Sequence, residues 1–131
     1  MTRIVREASE RTPFVDFDFD SGQLTMSGES YPENAAAFFG PLIQALQEYL
    51  SQSGRRNLTF NLKMLYFNSS SAKALMNLFQ LMENEAQNGS LIVINWYYHQ
   101  NDDIMEEFGE DFSEDFIAAR FEMQAIPNGL P

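Results

Sequence analysis

The stretch from residue 58 to residue 98 sets the terms on which this chain can fold. Leu58, Phe60, Leu62 and Met64 alternate with their neighbours and then run into a continuous apolar patch ending at Phe67. That is the period of two expected of a strand. Leu75, Leu78, Phe79, Met82 and Ala86 then recur at the spacing of one helical face, and Asn88-Gly89 stops them. Leu91 to Tyr98 follows as a nearly unbroken apolar run, which predicts a strand buried on both faces. Strand, helix and strand in that order need a crossover connection, because a tight turn joins only antiparallel neighbours. The segment therefore commits the chain to an α/β fold, in which helices pack on a sheet with parallel strands.

The flanking sequence extends this plan. Val15, Phe17 and Phe19 alternate with Asp16 and Asp18 between Thr12 and Asp20. Ser21-Gly22 turns the chain, and Leu24 and Met26 resume the alternation up to Gly28, which predicts a β-hairpin. Tyr31-Pro32-Glu33-Asn34 leads into a helical pattern of Phe39, Leu42, Ile43, Leu46 and Leu50, ended by Ser53-Gly54-Arg55-Arg56. Pro41 falls within that pattern, so the helix either starts near it or bends there. Residues 102–115 hold eight of the nineteen acidic residues, yet Ile104, Met105, Phe108 and Phe112 recur at helical intervals, which predicts an acidic amphipathic helix. Two readings fit that helix: a docked apolar stripe with a solvated acidic face, or a face for a basic partner. Phe116 to Ile126 alternates through Ile117, Phe121, Met123 and Ala125 as a last strand. The order is β-β-α-β-α-β-α-β, a mixed sheet in a single domain over residues 12–126. A loose N-terminal arm over residues 1–11 precedes it, and a tail over residues 127–131 follows.

Composition removes several kinds of function. At 131 residues the chain is one domain with enough apolar sequence for an ordinary core. It has no cysteine, so thiolate metal sites and cysteine nucleophiles are excluded. His99 is the sole histidine, which rules out a metal site built on two of them. The Asp16, Asp18, Asp20 series fails as a calcium loop, because Ser21 and Ser27 stand where such a loop wants Gly and an acid. No phosphate-binding glycine loop, dinucleotide fingerprint or nucleophile elbow is present. The net charge of −11, with eight scattered Lys and Arg, argues against nucleic acid and anionic membranes. No apolar run approaches the roughly 20 residues of a membrane span, and no signal-peptide pattern opens the chain, so a cytoplasmic protein is the simplest expectation. No cofactor or metal is implied, and the chain reads as a binding or switch protein rather than an enzyme.

What stands out is Tyr66-Phe67-Asn68-Ser69-Ser70-Ser71, where the first strand of the 58–98 unit meets its helix. Three hydroxyls and an amide crowd a helix start, where unpaired N–H groups and the positive end of the dipole favour negative charge. Two readings again fit. Asn and Ser are common helix caps, and a phosphate on a serine would be well placed. Lys73, a turn or so into the helix, would reach such a phosphate or simply face solvent.

The strand–Asn68-Ser69-Ser70-Ser71–helix order resembles the STAS domains of anti-sigma-factor antagonists, in which an Asp-Ser-Ser-Gly stretch at this junction is phosphorylated on its first serine. Asn68 and Ser71 depart from that pattern. The chain is more closely similar to the SiaC-type family of bacterial regulatory phosphoproteins, themselves STAS-like. Gly28-Glu29-Ser30-Tyr31-Pro32-Glu33-Asn34, Tyr66-Phe67-Asn68-Ser69-Ser70-Ser71-Ala72-Lys73-Ala74 and the strand ending in Trp96-Tyr97-Tyr98 carry the likeness, which spans residues 12 to 125. The resemblance implies a STAS-like fold and a non-enzymatic switch in cyclic-di-GMP and biofilm signalling. The unphosphorylated protein would bind and activate a diguanylate cyclase. A dedicated Ser/Thr kinase would phosphorylate it, and a phosphatase would reset it. The family pattern makes Ser69 the phosphoacceptor, and Tyr66, Asn68, Ser70, Ser71 and Lys73 around it are the expected partner-binding residues. The more distant resemblance leaves a second function open, an antagonist that binds an anti-sigma kinase.

Overall fold

The computed structural model describes residues 3–129. Six strands lie in one sheet in chain order, β1 (Ile4–Arg6), β2 (Phe14–Asp18), β3 (Gln23–Ser30), β4 (Asn57–Phe67), β5 (Leu91–His99) and β6 (Arg120–Ile126). The first three are antiparallel and β3 to β6 are parallel, so the sheet is mixed as the sequence predicts. Helices α1 (Ala35–Leu50), α2 (Ser69–Gln87) and α3 (Asp103–Ser113) form the three crossovers. The crossovers advance in one direction across the sheet, and right-handed connections then put all three helices on the same face.

That face is the core. Phe17, Leu24, Phe60, Ile94 and Phe121 align across five strands, with Val15, Met26, Leu62, Trp96 and Met123 in the row beside them. Phe39, Leu42 and Leu46 of α1, Leu75, Leu78, Phe79 and Met82 of α2, and Met105 and Phe112 of α3 close over them. Gly109 lets α3 approach the sheet: a Cβ there would lie 2.7 Å from Trp96 Nε1 and 2.8 Å from the Met123 methyl. Gly22 turns the β2–β3 hairpin at φ +73°, and a side chain there would strike the Asn57 carbonyl.

Several expectations change. Among the described residues no helix covers the opposite face of the sheet. β5 is therefore not buried on both faces: Ile92, Ile94 and Trp96 are buried, while Val93, Asn95 and Tyr97 are half-buried on the open side. A ladder of side-chain amides crosses that side. Asn61 donates to Gln23 (3.3 Å), Asn95 to Asn61 (3.0 Å) and Gln124 to Asn95 (3.2 Å). Ile4–Arg6 adds an edge strand to what the sequence presents as a loose arm, paired with Val15 to Phe17 of β2. Met1 and Thr2 of that arm, and Leu130 and Pro131 of the tail, lie outside the described residues. Helix α1 does not start at Pro41. It starts after Asn34, whose side chain accepts the Ala37 N–H at 3.0 Å, and continues through Pro41. Both Ala37 and Pro41 are exposed, so water can reach the carbonyl that the proline leaves without its usual donor. In α3, Ile104 leaves the apolar stripe and is 66 % exposed. The last strand begins at Arg120 rather than Phe116, and Ile117, expected in its alternation, stands 90 % exposed in the turn before it.

That turn is tied down by Glu83 of α2. Its carboxylate is buried and accepts the N–H groups of Ile117 (3.2 Å), Ala118 (3.1 Å) and Ala119 (2.9 Å), and the Gln87 amide at 2.9 Å. Burial by itself would push the Glu83 carboxyl up. The N–H groups and the Gln87 amide outweigh it, and the carboxyl is held below its ordinary value.

Candidate functional site

The carboxyl ends of β3 and β4 lie side by side, Ser30 opposite Phe67, and the N-terminus of α2 leaves from there. Asn68 caps that helix. Its backbone is extended and its side chain accepts the Ser71 N–H at 2.9 Å, while its own N–H donates to the Ser30 carbonyl at 3.0 Å. A single Asn thus supplies the cap, and no serine is needed for it.

The three serines then divide. Ser71 is fully buried. Its hydroxyl donates to the Ser30 carbonyl (3.0 Å) and shares a hydrogen bond with the Ser30 hydroxyl (2.8 Å). These bonds fasten the start of α2 to the end of β3. The expectation that Ser71 meets a partner is corrected on this point, because its side chain cannot reach the surface without dismantling that joint. Ser69 and Ser70 are exposed in the first turn. Among the described residues neither hydroxyl is hydrogen-bonded to a base, and no group of three or more His, Asp and Glu is placed to hold a metal ion. Ser70 and Lys73 border a groove between α1 and α2, with Ala35, Phe39, Gly40 and Ala74. Lys73 is exposed one turn beyond Ser69, on the same side of the helix.

Before the cap, the strand is irregular. Gly28 pairs with Met64 but Glu29 pairs with Tyr66, so Leu65 has no residue opposite it. This bulge reverses the alternation. Phe67 turns into the core against Trp96, Phe108 and Phe112, whereas Leu65 and Tyr66 both face solvent, each 48 % exposed. Tyr66 meets Tyr31 edge to face at 5.8 Å, and the Arg11 guanidinium lies over the Tyr31 ring at 5.7 Å. Arg11 also pairs with Glu33 at 3.5 Å. The sequence marks Tyr66 as a site residue and Tyr31 as part of the family likeness, but it does not mark Leu65 or Arg11. The doubled apolar residues after Met64 were the available signal for Leu65, while Arg11 and Tyr31 reach the site only through sheet pairing.

These features define a mixed α/β domain, three helices on a six-stranded sheet, with Ser69 and Ser70 exposed at a helix start that Asn68 caps. The chain belongs to the SiaC family of regulatory phosphoproteins, whose family model matches residues 6–126. It superposes on apo-SiaC from Pseudomonas aeruginosa with a TM-score of 0.88 at 34 % identity, over 95 % of this chain and all of that one. It is 33 % identical, with a TM-score of 0.87, to a chain in the crystal structure of the diguanylate cyclase SiaD in complex with its activator SiaC from the same species, covering 96 % of this chain and 100 % of the other. An uncharacterised protein of Pseudomonas aeruginosa strain UCBPP-PA14 is 36 % identical over 107 residues, which is 82 % of this chain and 84 % of that protein. The resemblance drawn from the Ser30–Asn34 and Tyr66–Ala74 stretches is borne out by the family match.

Proposed function

We propose that the unphosphorylated chain binds and activates a diguanylate cyclase, and that phosphorylation of Ser69 by a partner Ser/Thr kinase ends the activation until a phosphatase restores it. The chain acts by binding, without turnover of its own, and works in the cytoplasm, where ATP and the cyclase substrate are found. The observation that carries this is the likeness, across nearly the whole chain, to an activator that forms a complex with a diguanylate cyclase. The exposed Ser69 beside the Asn68 cap supports the position of the switch.

The physics of the switch follows from that position. A phosphate adds about −1.5 to −2 charges and three acceptor oxygens. At the start of α2 it meets the positive end of the helix, with Lys73 a turn away, so the folded state tolerates it. Asn68, Ser71 and Ser30 hold the junction together without using the Ser69 hydroxyl, so no refolding is required. The effect falls on the interface, where a hydrated dianion must be stripped of water for a partner to seat.

The test is reconstitution. The SiaD-like cyclase of the same organism is assayed for cyclic-di-GMP synthesis alone, with the wild-type chain, and with its Ser69→Ala and Ser69→Asp variants. Wild type and Ser69→Ala should activate, and Ser69→Asp should activate far less. Equal activation by all three would count against Ser69 as the switch, and no activation by wild type would count against the function itself.

A further inference from the structure

We propose that Leu65 and Tyr66, turned outward by the bulge in β4 and braced by Tyr31, form the surface on which the cyclase docks, and that the cyclase presents there an apolar patch rimmed by carboxylates. The inference rests on the chain being a cyclase activator and names the contact through which it acts.

Three observations converge on this surface. The first is the bulge. A regular strand would send Tyr66 inward after Leu62 and Met64 and leave Leu65 as a single outward residue. The skipped pairing at Leu65 instead leaves two large side chains adjacent and half in solvent, three and four residues before Ser69. The second is rigidity. The Tyr66 ring packs on the Tyr31 edge at 5.8 Å, and Arg11 covers Tyr31. Aromatics held edge to face present contact area at little entropic cost, which is the character of an interface anchor.

The third is charge. The chain carries −11 overall and has two lysines, Lys63 and Lys73. Among the described residues neither forms an ion pair, whereas Arg3, Arg11, Arg56 and Arg120 all do. Lys63 stands on the open face two residues before Leu65, and Lys73 stands one turn after Ser69. Along the sequence, two cations without an ion pair among the described residues flank the apolar pair of a strongly acidic molecule, one on the open face and one at the α1–α2 groove. They favour carboxylates at the rim of the partner surface that seats there and disfavour the basic groups that the rest of this acidic surface attracts. A phosphate on Ser69 would stand one turn from Lys73. It would offset the Lys73 charge and set a hydrated dianion three residues from Tyr66, which links this surface to the switch.

The experiment measures affinity of the SiaD-like cyclase for the wild-type chain, for Leu65→Ser/Tyr66→Ala, for Lys63→Glu/Lys73→Glu, and for Ile117→Ser as a comparison on the exposed turn before β6. Circular dichroism and thermal melts check folding, and Tyr66→Ala alone replaces the double variant if that variant does not fold. The expected result is a loss of at least tenfold for the apolar variant. The lysine variant should associate more slowly and lose the salt dependence of wild type, and Ile117→Ser should bind as wild type does. Wild-type binding with the apolar variant within twofold of it overturns the docking surface and leaves the function intact. Failure of wild type to bind the cyclase overturns both. Sedimentation of each variant adds a third arm. A wild-type dimer that Leu65→Ser/Tyr66→Ala converts to monomer, with cyclase affinity unchanged, assigns the surface to a second copy of this chain and overturns the proposal.

Discussion

Replacing Glu83 removes an anion that the fold has built its own binding site for. The carboxylate is 4 % exposed and takes the N–H groups of three successive residues, Ile117, Ala118 and Ala119, with the Gln87 amide as a fourth donor. In Glu83→Ala the Ile117 and Ala118 amides belong to exposed residues and can turn to water. The Ala119 N–H belongs to a residue only 6 % exposed and has nowhere to turn. Hydrogen bonds to a charged group contribute roughly 1.5–3 kcal/mol each, and an orphaned buried donor costs about 1–3 kcal/mol. One bond lost outright and two partly replaced give a loss of about 3 kcal/mol at pH 7. Glu83→Gln keeps one acceptor oxygen without the charge and should lose about half as much. The sign with pH follows from the lowered carboxyl. Its folded value lies below the ordinary 4.5, so its stabilisation is complete above that value and is lost as the pH falls through the folded one. Urea unfolding of wild type and both variants from pH 7 down to pH 3 is the assay. The gap between wild type and Glu83→Gln should be largest at neutral pH and should close in acid. A Glu83→Ala variant within about 0.5 kcal/mol of wild type at pH 7, or a gap that widens in acid, would mean that the Glu83 carboxylate does not hold this turn.

Three further substitutions probe the frame around the site. Ser71→Ala removes both hydroxyl contacts to Ser30, whose carbonyl keeps the Asn68 N–H, so urea unfolding should register a loss of about 1–2 kcal/mol while Ser69 remains a kinase substrate. Asn68→Ala removes the helix cap and should lower stability by about 1 kcal/mol, read as a lower midpoint in the same titration. Gly109→Ala would drive a methyl into Trp96 and Met123, costing about 1–3 kcal/mol. Because Trp96 donates to the Met105 carbonyl at 2.9 Å and is the chain's single tryptophan, its fluorescence should shift with the melt, and an unchanged spectrum with unchanged stability would contradict the packing described.

The parallel core of the fold is legible in the residues themselves. Alternation at Leu58, Phe60, Leu62 and Met64, followed by the α2 stripe, specifies strand and helix locally, because period two and period 3.6 are each read over a few residues. What sequence does not carry is the second face of a strand. Asn95 is the break in an otherwise apolar β5, and its meaning depends on Asn61 and Gln124 standing beside it in the ladder. Ile4–Arg6 is likewise a strand only because β2 offers it an edge. At the site, the cap and the exposed serines follow from local chemistry, but the division between Ser69 and Ser71 does not. It is decided by Ser30, forty-one residues earlier, which takes one hydroxyl into the interior. Ile117 misled for the same reason: the alternation that includes it is broken by Glu83, a buried acid whose partners are backbone groups with no sequence signature. The outward turn of Tyr66 is a register effect, and register is set by β3 and β4 together.

Whether phosphorylation of Ser69 releases the cyclase can be read in one sample. The chain is incubated with MgATP and its partner kinase, the phosphate is located by tandem mass spectrometry, and the same sample is added to the cyclase. The expected result is one phosphate, on Ser69, with cyclic-di-GMP synthesis falling to the level of the cyclase alone and the circular dichroism spectrum unchanged. A phosphate found on Ser70 instead, or a chain fully phosphorylated on Ser69 that activates as well as the unmodified one, would contradict it.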